Sequence, residues 1–370
     1  MRVLLCGGGT AGHVMPAVAI SEIIEKSFPE SVIAFAGRTG GAENKAYQDT
    51  GHALYTVDIR GISRSFSINN IKSIFKLLKS SRIARRIIKD FNPDIIIGTG
   101  GYVCFPFIRQ GQRKGVKTVM HESNIFPGLV TRLLGKRCDR LLLNFEASKQ
   151  YLNTQKNTVV VGNPLRHSFS SLTKSQARER LGIEKDKIFI VSFGGSLGAE
   201  VLNDVIISCM KELSNKNGNI KHIHSAGRAH FENIKSKYPN LCKENTGVRI
   251  VPYIDDMPIY LTAADLAITR SGAMTISELC RSSTASILIP SPNVTANHQY
   301  KNAKHMEILG AAKIIEEKEL TAERLINEIN ALISSPDLIR KMSKKASAAY
   351  TKNTDRMVVR VLKELTEDKQ

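Results

Sequence analysis

The chain has 370 residues, which sets an expectation of two or three domains around an ample core. Its 53 Lys and Arg against 34 Asp and Glu leave a net charge of +19, which implies an anionic partner: phosphorylated substrates, an acidic membrane or nucleic acid. Nucleic acid fits least, because no zinc-finger, RRM or basic-zipper pattern occurs, aromatics are 6% and there is no Trp.

Arg2 to Cys6 is an apolar run that predicts a strand, and with a strand this close to the start no signal peptide is expected. Gly7-Gly8-Gly9-Thr10-Ala11-Gly12-His13 follows, then a helix from about Val14 to Phe28. Strand, glycine loop and helix make a phosphate-binding unit, and Gly7, Gly9 and Gly12 match G-x-G-x-x-G formally. His13 stands where a P-loop carries Lys, so the loop is not a P-loop. Strands are then predicted at Val32 to Ala36, Leu54 to Ile59, Asp94 to Ile97, Lys117 to His121, Arg140 to Asn144 and Thr158 to Val161. Helices alternate with them near Glu43 to Thr50, Ile68 to Phe91, from Phe105, and Gly128 to Lys136. This is the pattern of a doubly wound parallel sheet.

Gly162-Asn163-Pro164-Leu165-Arg166 and the polar segment Ser168 to Ser175 break the pattern, and a domain boundary is placed there. The pattern then restarts. Ile188 to Phe193 predicts a strand, and Gly194-Gly195-Ser196-Leu197-Gly198-Ala199 is a second glycine turn into a helix. Further strands are predicted at Ile220 to Ser225, Val248 to Val251, Leu266 to Thr269 and Ser286 to Ile289, with helix from about Ala322 onward. Two Rossmann-like halves say more than either glycine turn alone.

The stretch from Arg270 to Leu279 reads as strand end, turn at Gly272 and helix start at Ala273. A helix N-terminus offers free N–H groups and a partial positive charge to a phosphate. Glu278, one turn in, suits the hydroxyls of a sugar diol. The stretch therefore reads as a nucleotide site, against the plainer reading of an acidic residue favouring a helix start. His13 is a candidate general base, since imidazole titrates near neutrality; the alternative is an N-cap or core-facing His. His121 reads as structural, and Glu122 beside it is the second candidate base. Asp255-Asp256 is not a D-x-D site and no cluster has metal-ligand spacing, so no metal is demanded. The six cysteines have no C-x-x-C spacing and read as buried thiols of a reducing cytoplasm. No apolar run approaches ~18 residues. The helix from Ile68 carries Ile71, Ile74, Phe75 and Leu78 beside Lys72, Lys76 and Lys79, and Phe66 precedes it. That is either a crossover helix with a solvated face or a surface for anionic lipid.

Taken in order, these motifs resemble the MurG family, which moves N-acetylglucosamine from UDP onto an undecaprenyl-pyrophosphoryl muramoyl-peptide. The residues that carry the resemblance are Gly7 to His13, Gly100-Gly101-Tyr102, His121 to Asn124, Gly162 to Arg166, Gly194 to Ala199, Arg270 to Glu278, Asn297-His298-Gln299 and Asn302-Ala303. The resemblance implies a GT-B fold: two Rossmann-like doubly wound parallel-sheet domains with an inter-domain cleft. The boundaries expected are 1–163, 164–346, and a C-terminal helix, 347–370, returning to the first domain. It implies Thr10, Ala11, Gly12 and Asn124 near donor sugar and acceptor, Arg166 and Ser196 on the pyrophosphate, and Ile254 at the uracil. Ala273, Met274, Thr275, Ile276, Ser277 and Glu278 would cradle phosphate and ribose, with Gln299 on the sugar hydroxyls. The basic apolar surface named above would dock on the inner face of the bacterial cytoplasmic membrane. No cofactor is implied, neither nicotinamide nor an obligatory metal. Ala11, Ser123, Leu197 and Cys104-Phe105 depart from the family's commoner Gly, Gln, Gln and Ser-Gly, which bears on loop geometry. Two other readings stay open: an NADP-dependent oxidoreductase, with Arg38 placed for a 2′-phosphate, and a nucleotide-sugar binding protein without catalysis.

Overall fold

The computed structural model describes residues 1–41, 43–59, 68–153, 155–166, 172–195, 198–216, 219–243 and 247–367; the side chains of 68–74 and 214–216 are outside that description. The chain divides into two compact units, Met1–His167 with Thr351–Gln370, and Ser168–Tyr350. The second unit thus runs from 168 to 350, where the sequence reading places it at 164 to 346.

In the first unit the elements are β1 (Arg2–Cys6), α1 (Ala11–Ser27), β2 (Val32–Arg38), α2 (Glu43–Gln48), β3 (Ala53–Val57), α3 (Ile68–Phe91), β4 (Ile95–Gly98), α4 (Cys104–Lys114), β5 (Lys117–Glu122), α5 (Leu129–Leu134), β6 (Arg140–Leu143) and β7 (Thr158–Val160). The strands form one parallel sheet in the order β3-β2-β1-β4-β5-β6-β7. Register is fixed at the centre, where Leu5 pairs with Phe35 on one side and Ile97 on the other. Strand side chains alternate faces. Val3 and Leu5 join α1 in one core, and Leu4 and Cys6 join α3, α4 and α5 in the other. A sheet covered on both faces needs continuous apolar strands, which is why these runs are legible as strands.

The second unit holds α6 (Lys174–Arg180), β8 (Ile188–Phe193), α7 (Glu200–Lys216), β9 (Ile220–Ser225), α8 (Arg228–Lys237), β10 (Val248–Val251), α9 (Met257–Ala263), β11 (Leu266–Thr269), α10 (Ala273–Ser282), β12 (Ala285–Leu288), α11 (His298–Ile308), β13 (Ala312–Ile314), α12 (Ala322–Ile333) and α13 (Pro336–Ala349). Its parallel sheet runs β10-β9-β8-β11-β12-β13. The chain then re-enters the first unit as α14 (Thr354–Glu367). There Val358, Val361, Leu362 and Leu365 are buried against Val14, Ala17 and Val18 of α1.

A polar network crosses the second sheet. His222 Nε2 lies 2.7 Å from Ser192 Oγ, which lies 2.8 Å from His224 Nδ1; His224 Nε2 lies 3.0 Å from Asn203 Oδ1, and Asn203 Nδ2 donates to the Ala226 carbonyl. The Asn203 amide oxygen sets the donor order: His224 donates to Asn203 from Nε2, Ser192 donates to His224 Nδ1, and His222 donates to Ser192, with the Ser192 carbonyl 3.2 Å from the unprotonated Nδ1. Both imidazoles are then neutral. Burial pushes His222 down to about 3 and His224 to about 4. Unfolded imidazole titrates near ~6.5, so the unfolded chain takes up protons first. Stability is complete above that pH and is lost as pH falls from there toward the folded values. The stability of the second unit is expected to fall by about 4 kcal/mol between pH 7 and pH 5, about 2 for each histidine, and its urea midpoint to drop accordingly. A flat midpoint across that window would show that the pair does not sit buried and neutral.

Candidate active site

In open parallel sheets, ligands bind outside the strand carboxyl ends where the strand order reverses. In the first unit that point lies between β1 and β4, whose following loops interlock. Gly8 N–H donates to the Gly100 carbonyl and Tyr47 O–H to the Gly7 carbonyl. Gly101 has φ +82°, and a Cβ there would lie 2.2 Å from the Gly8 carbonyl oxygen, so only glycine fits. Cys104 joins the two loops: its sulfur lies 3.0 Å from both the Cys6 and the Gly100 carbonyls, which share its one S–H proton, and accepts from Gly100 N–H.

This seat fixes His13. The helix begins at Ala11, so His13 lies in its first turn and not ahead of it, as a start at Val14 would have it. His13 Nδ1 is 3.1 Å from the Gly8 carbonyl and 3.2 Å from Thr10 Oγ1. A carbonyl only accepts, so the proton is on Nδ1 and the lone pair on Nε2. Nε2 has no hydrogen-bond partner among the described residues. Burial lowers the imidazole below its ordinary value, partly countered by the Glu122 charge and the Gly8 bond. Thr10 and Ala11 are exposed at the N-terminus of α1, and Gly12 is half-buried.

Glu122 has another task. Its carboxylate accepts bonds from Asn124 N–H, Asn124 Nδ2, Gly128 N–H and Thr131 Oγ1, which ties the 123–128 loop to the start of α5. A carboxylate so engaged is a clamp, which leaves His13 as the base candidate. His121 is fully buried and bonds the Gly162 carbonyl at 3.0 Å, a structural role. Ser123 is buried with its Oγ unpartnered.

In the second unit the reversal lies between β8 and β11, where α10 starts with no side-chain cap at Gly272. Ala273, Ile276 and Ser277 face the core, so of the cradle residues only Met274, Thr275 and Glu278 present side chains outward. Ser277 bonds back to the Ala273 carbonyl. Glu278 is half-buried and has neither ion pair nor side-chain hydrogen bond among the described residues. Burial pushes its carboxyl up to about 7. Arg270 is not available to a phosphate, because it is paired with Glu317 and both are largely buried. Ser271 donates to the Gln299 carbonyl, and Asn302 Nδ2 to the Ser271 carbonyl, so α11 holds the turn before α10. Gln299 Oε1 accepts from Ser291 N–H. Ahead of it Ala296 and Asn297 have φ +56° and +52°, strain of the kind stored at ligand sites. Ile254 is buried in the loop after β10, beside Tyr253, whose ring lies 5.2 Å from the Arg228 guanidinium.

Arg166 belongs to the first unit, and its exposed guanidinium lies 3.9 Å from the half-buried Glu22 of α1, a surface pair of small energetic weight. Ser196 and Leu197 lie outside the described residues. So do Phe66 and the side chains of Ile71, Lys72 and Ile74. On the rest of α3, Phe75 and Leu78 are 69% and 53% exposed, with Lys79 beside them. Lys76 instead bonds Asp58 at 2.7 Å. Leu129 and Leu133 of α5, in the same helical layer, are also exposed, which sequence reading missed because α5 is only six residues long. No described helix is long and apolar enough to cross a membrane. Among the described residues no group of three His, Cys, Asp or Glu is arranged to hold a metal.

Comparison with known proteins agrees with this geometry. Residues 3–143 match the glycosyltransferase family 28 N-terminal domain and residues 189–357 its C-terminal domain. A UDP-N-acetylglucosamine–N-acetylmuramyl-(pentapeptide) pyrophosphoryl-undecaprenol N-acetylglucosamine transferase of Acetivibrio thermocellus is 36% identical, over 100% of this chain and 99% of its own. The equally named protein of Alkaliphilus metalliredigens is 38% identical over 95% of each. The crystal structure of Acinetobacter baumannii MurG superposes with a TM-score of 0.77 at 25% identity, covering 98% of this chain and 99% of the other. The two parallel-sheet units are those of the GT-B fold, and the nicotinamide reading of Gly7, Gly9 and Gly12 is set aside. The chain is a glycosyltransferase and belongs to the MurG family.

Proposed function

We propose that this chain transfers N-acetylglucosamine from UDP-N-acetylglucosamine to the 4-hydroxyl of a lipid-linked N-acetylmuramyl-pentapeptide, with inversion and without a metal ion. The acceptor oxygen attacks C1 of the sugar, its proton passes to Nε2 of His13, and the C1–O bond to UDP breaks. UDP leaves as the diphosphate, its charge met by the uncapped start of α10. Direct displacement puts base and leaving group on opposite faces of the sugar. The reading therefore draws the base from the first turn of α1 and the phosphate grip from the start of α10 together with Arg166. Thr10, Ala11, Gly12 and Asn124 serve the sugar and acceptor, Arg166 and Ser196 the pyrophosphate, Ile254 the uracil and Gln299 the sugar hydroxyls. The exposed Phe75, Leu78, Leu129 and Leu133 with Lys79 suit an anionic membrane surface, consistent with a peripheral enzyme on the cytoplasmic face.

The observation that carries the reading is Glu278: a half-buried carboxyl without a partner, one turn into an uncapped helix at a strand carboxyl end. A ribose diol supplies the missing donors and favours the ionised form. Glu278→Ala is expected to weaken UDP-N-acetylglucosamine binding by about 10- to 100-fold, the value of charged hydrogen bonds. With the free carboxyl near 7, binding should tighten from pH 6 to pH 8 and release a proton near neutrality. Calorimetry without metal, in buffers of different ionisation enthalpy, measures both. Unchanged affinity in the variant would remove Glu278 from the ribose. Incorporation of labelled sugar into the lipid-linked acceptor tests the transfer itself.

A further inference from the structure

A cavity of about 690 Å³ opens in the second unit, away from the donor loops. It is lined by Ile188, where β8 begins, by Asp265, just before β11, and by the far end of α10 at Arg281 to Ser283. The loops of the candidate active site leave those same strands at their carboxyl ends. A helix of ten residues spans roughly 15 Å, so α10 has the proposed phosphate grip at one end and this cavity at the other.

Its lining is strongly cationic: seven basic side chains against two carboxylates. One carboxylate is already neutralised, since Asp265 pairs with Lys174 at 2.6 Å and with Arg178 at 2.9 Å. Lys185 and Lys344 carry no ion pair among the described residues. Lys187 lies 3.9 Å from Asp186 and Arg340 pairs with Asp337, so the unmatched charge of the lining is that of Lys185 and Lys344, and an anion beside them supplies the counter-charge. The first turn of α13 borders the same space with Pro336 and Ile339, and Asp337 of that turn pairs with Arg340. Between the cations the wall is apolar, with Ile188, Ile333 and Ile339. The volume is that of a small-molecule site.

We propose that this cavity is a second ligand site, taking a small phosphate ester or diphosphate whose ring or apolar body lies on the isoleucine wall. The cations recognise the charge and the wall recognises the body, so a nucleotide-sized ligand is preferred over bare pyrophosphate. The site is distinct from the donor grip and does not depend on the transfer reaction assigned above.

The test is calorimetric titration of the full chain with ADP and with inorganic pyrophosphate, in the presence of saturating UDP. ADP is expected to bind one further site, more tightly than pyrophosphate. Lys185 and Lys344 are exposed, so their replacement does not threaten folding. The double variant Lys185→Ala with Lys344→Ala should lose at least tenfold in ADP affinity and keep its affinity for UDP. No heat with either probe, or equal ADP affinity in the double variant, would overturn the site. Equal binding of ADP and pyrophosphate would overturn the role of the isoleucine wall. If UDP itself fails to bind, the donor reading fails, and the ADP titration on wild type and variant still decides the cavity.

Discussion

His13→Ala lowers kcat by about 10²- to 10⁴-fold, the usual worth of a positioned general base, and leaves the affinity for UDP-N-acetylglucosamine within a few-fold of wild type. The expectation rests on which nitrogen is basic. The Gly8 carbonyl holds the Nδ1 proton, so Nε2 carries the lone pair whenever the ring is neutral. The ring is also confined: a Cβ on Gly100 would lie 2.4 Å from its Cδ2. Because burial lowers the imidazole below its ordinary value, the basic form persists into mild acid. At saturating donor, where Glu278 is held ionised, the acid limb of kcat should therefore fall below pH ~6.5, and it should vanish in His13→Ala. Glu122→Gln is the control. Its carboxylate clamps the loop before α5, so its loss should act through loop order and leave that acid limb in place. A pH–rate profile with the lipid-linked acceptor, set beside donor titration, measures both arms. Near-wild-type turnover in His13→Ala would remove it as the base, and a donor affinity that falls in step with turnover would make it a binding residue.

Leu362→Ala destabilises the first unit by about 2–5 kcal/mol, the range for a buried leucine whose cavity only partly collapses. Leu362 is fully buried in the core that α14 shares with α1. Deleting residues 351–370 should be more severe. It uncovers Val14, Ala17 and Val18 and removes the four buried apolar residues of α14, each worth about 1.5–3 kcal/mol. The sum matches the whole stability of an ordinary domain, about 5–15 kcal/mol, so the first unit should not hold its fold without the helix. Urea unfolding followed by circular dichroism and limited proteolysis separates the cases. For Leu362→Ala the transition of the first unit moves and that of the second does not. An unmoved transition would show that α14 contributes nothing to the unit it joins.

The sheets were legible because strands buried on both faces must be continuously apolar. The runs at Ile188–Phe193, Ile220–Ser225, Val248–Val251 and Leu266–Thr269 begin and end in the structure where the sequence has them. The edge strand Ala312–Ile314 was not legible. It is three residues long, and Lys313 faces solvent. The helix Lys174–Arg180 was lost in a polar segment read as a boundary. Its start is a capping box in which Thr173 and Gln176 bond each other's backbone N–H groups. In the site, the residue types could be read and their partners could not. Nothing near Arg270 announces Glu317, 47 residues on, nor does Lys76 announce Asp58. The network of Ser192, His222, His224 and Asn203 left one trace, two histidines two apart in an apolar strand, which alternation brings to one face.

The return of the chain as α14 has a consequence for biosynthesis. The sheet of the first unit is made first, yet the apolar side of α1 stays uncovered while all of Ser168–Tyr350 is translated. The second unit is contiguous and can fold as it emerges; the first must wait. Until Val358 to Leu365 arrive, α1 shows the ribosome's surroundings the surface that chaperones bind and proteases exploit. A chain cut short anywhere before that helix keeps that apolar side uncovered.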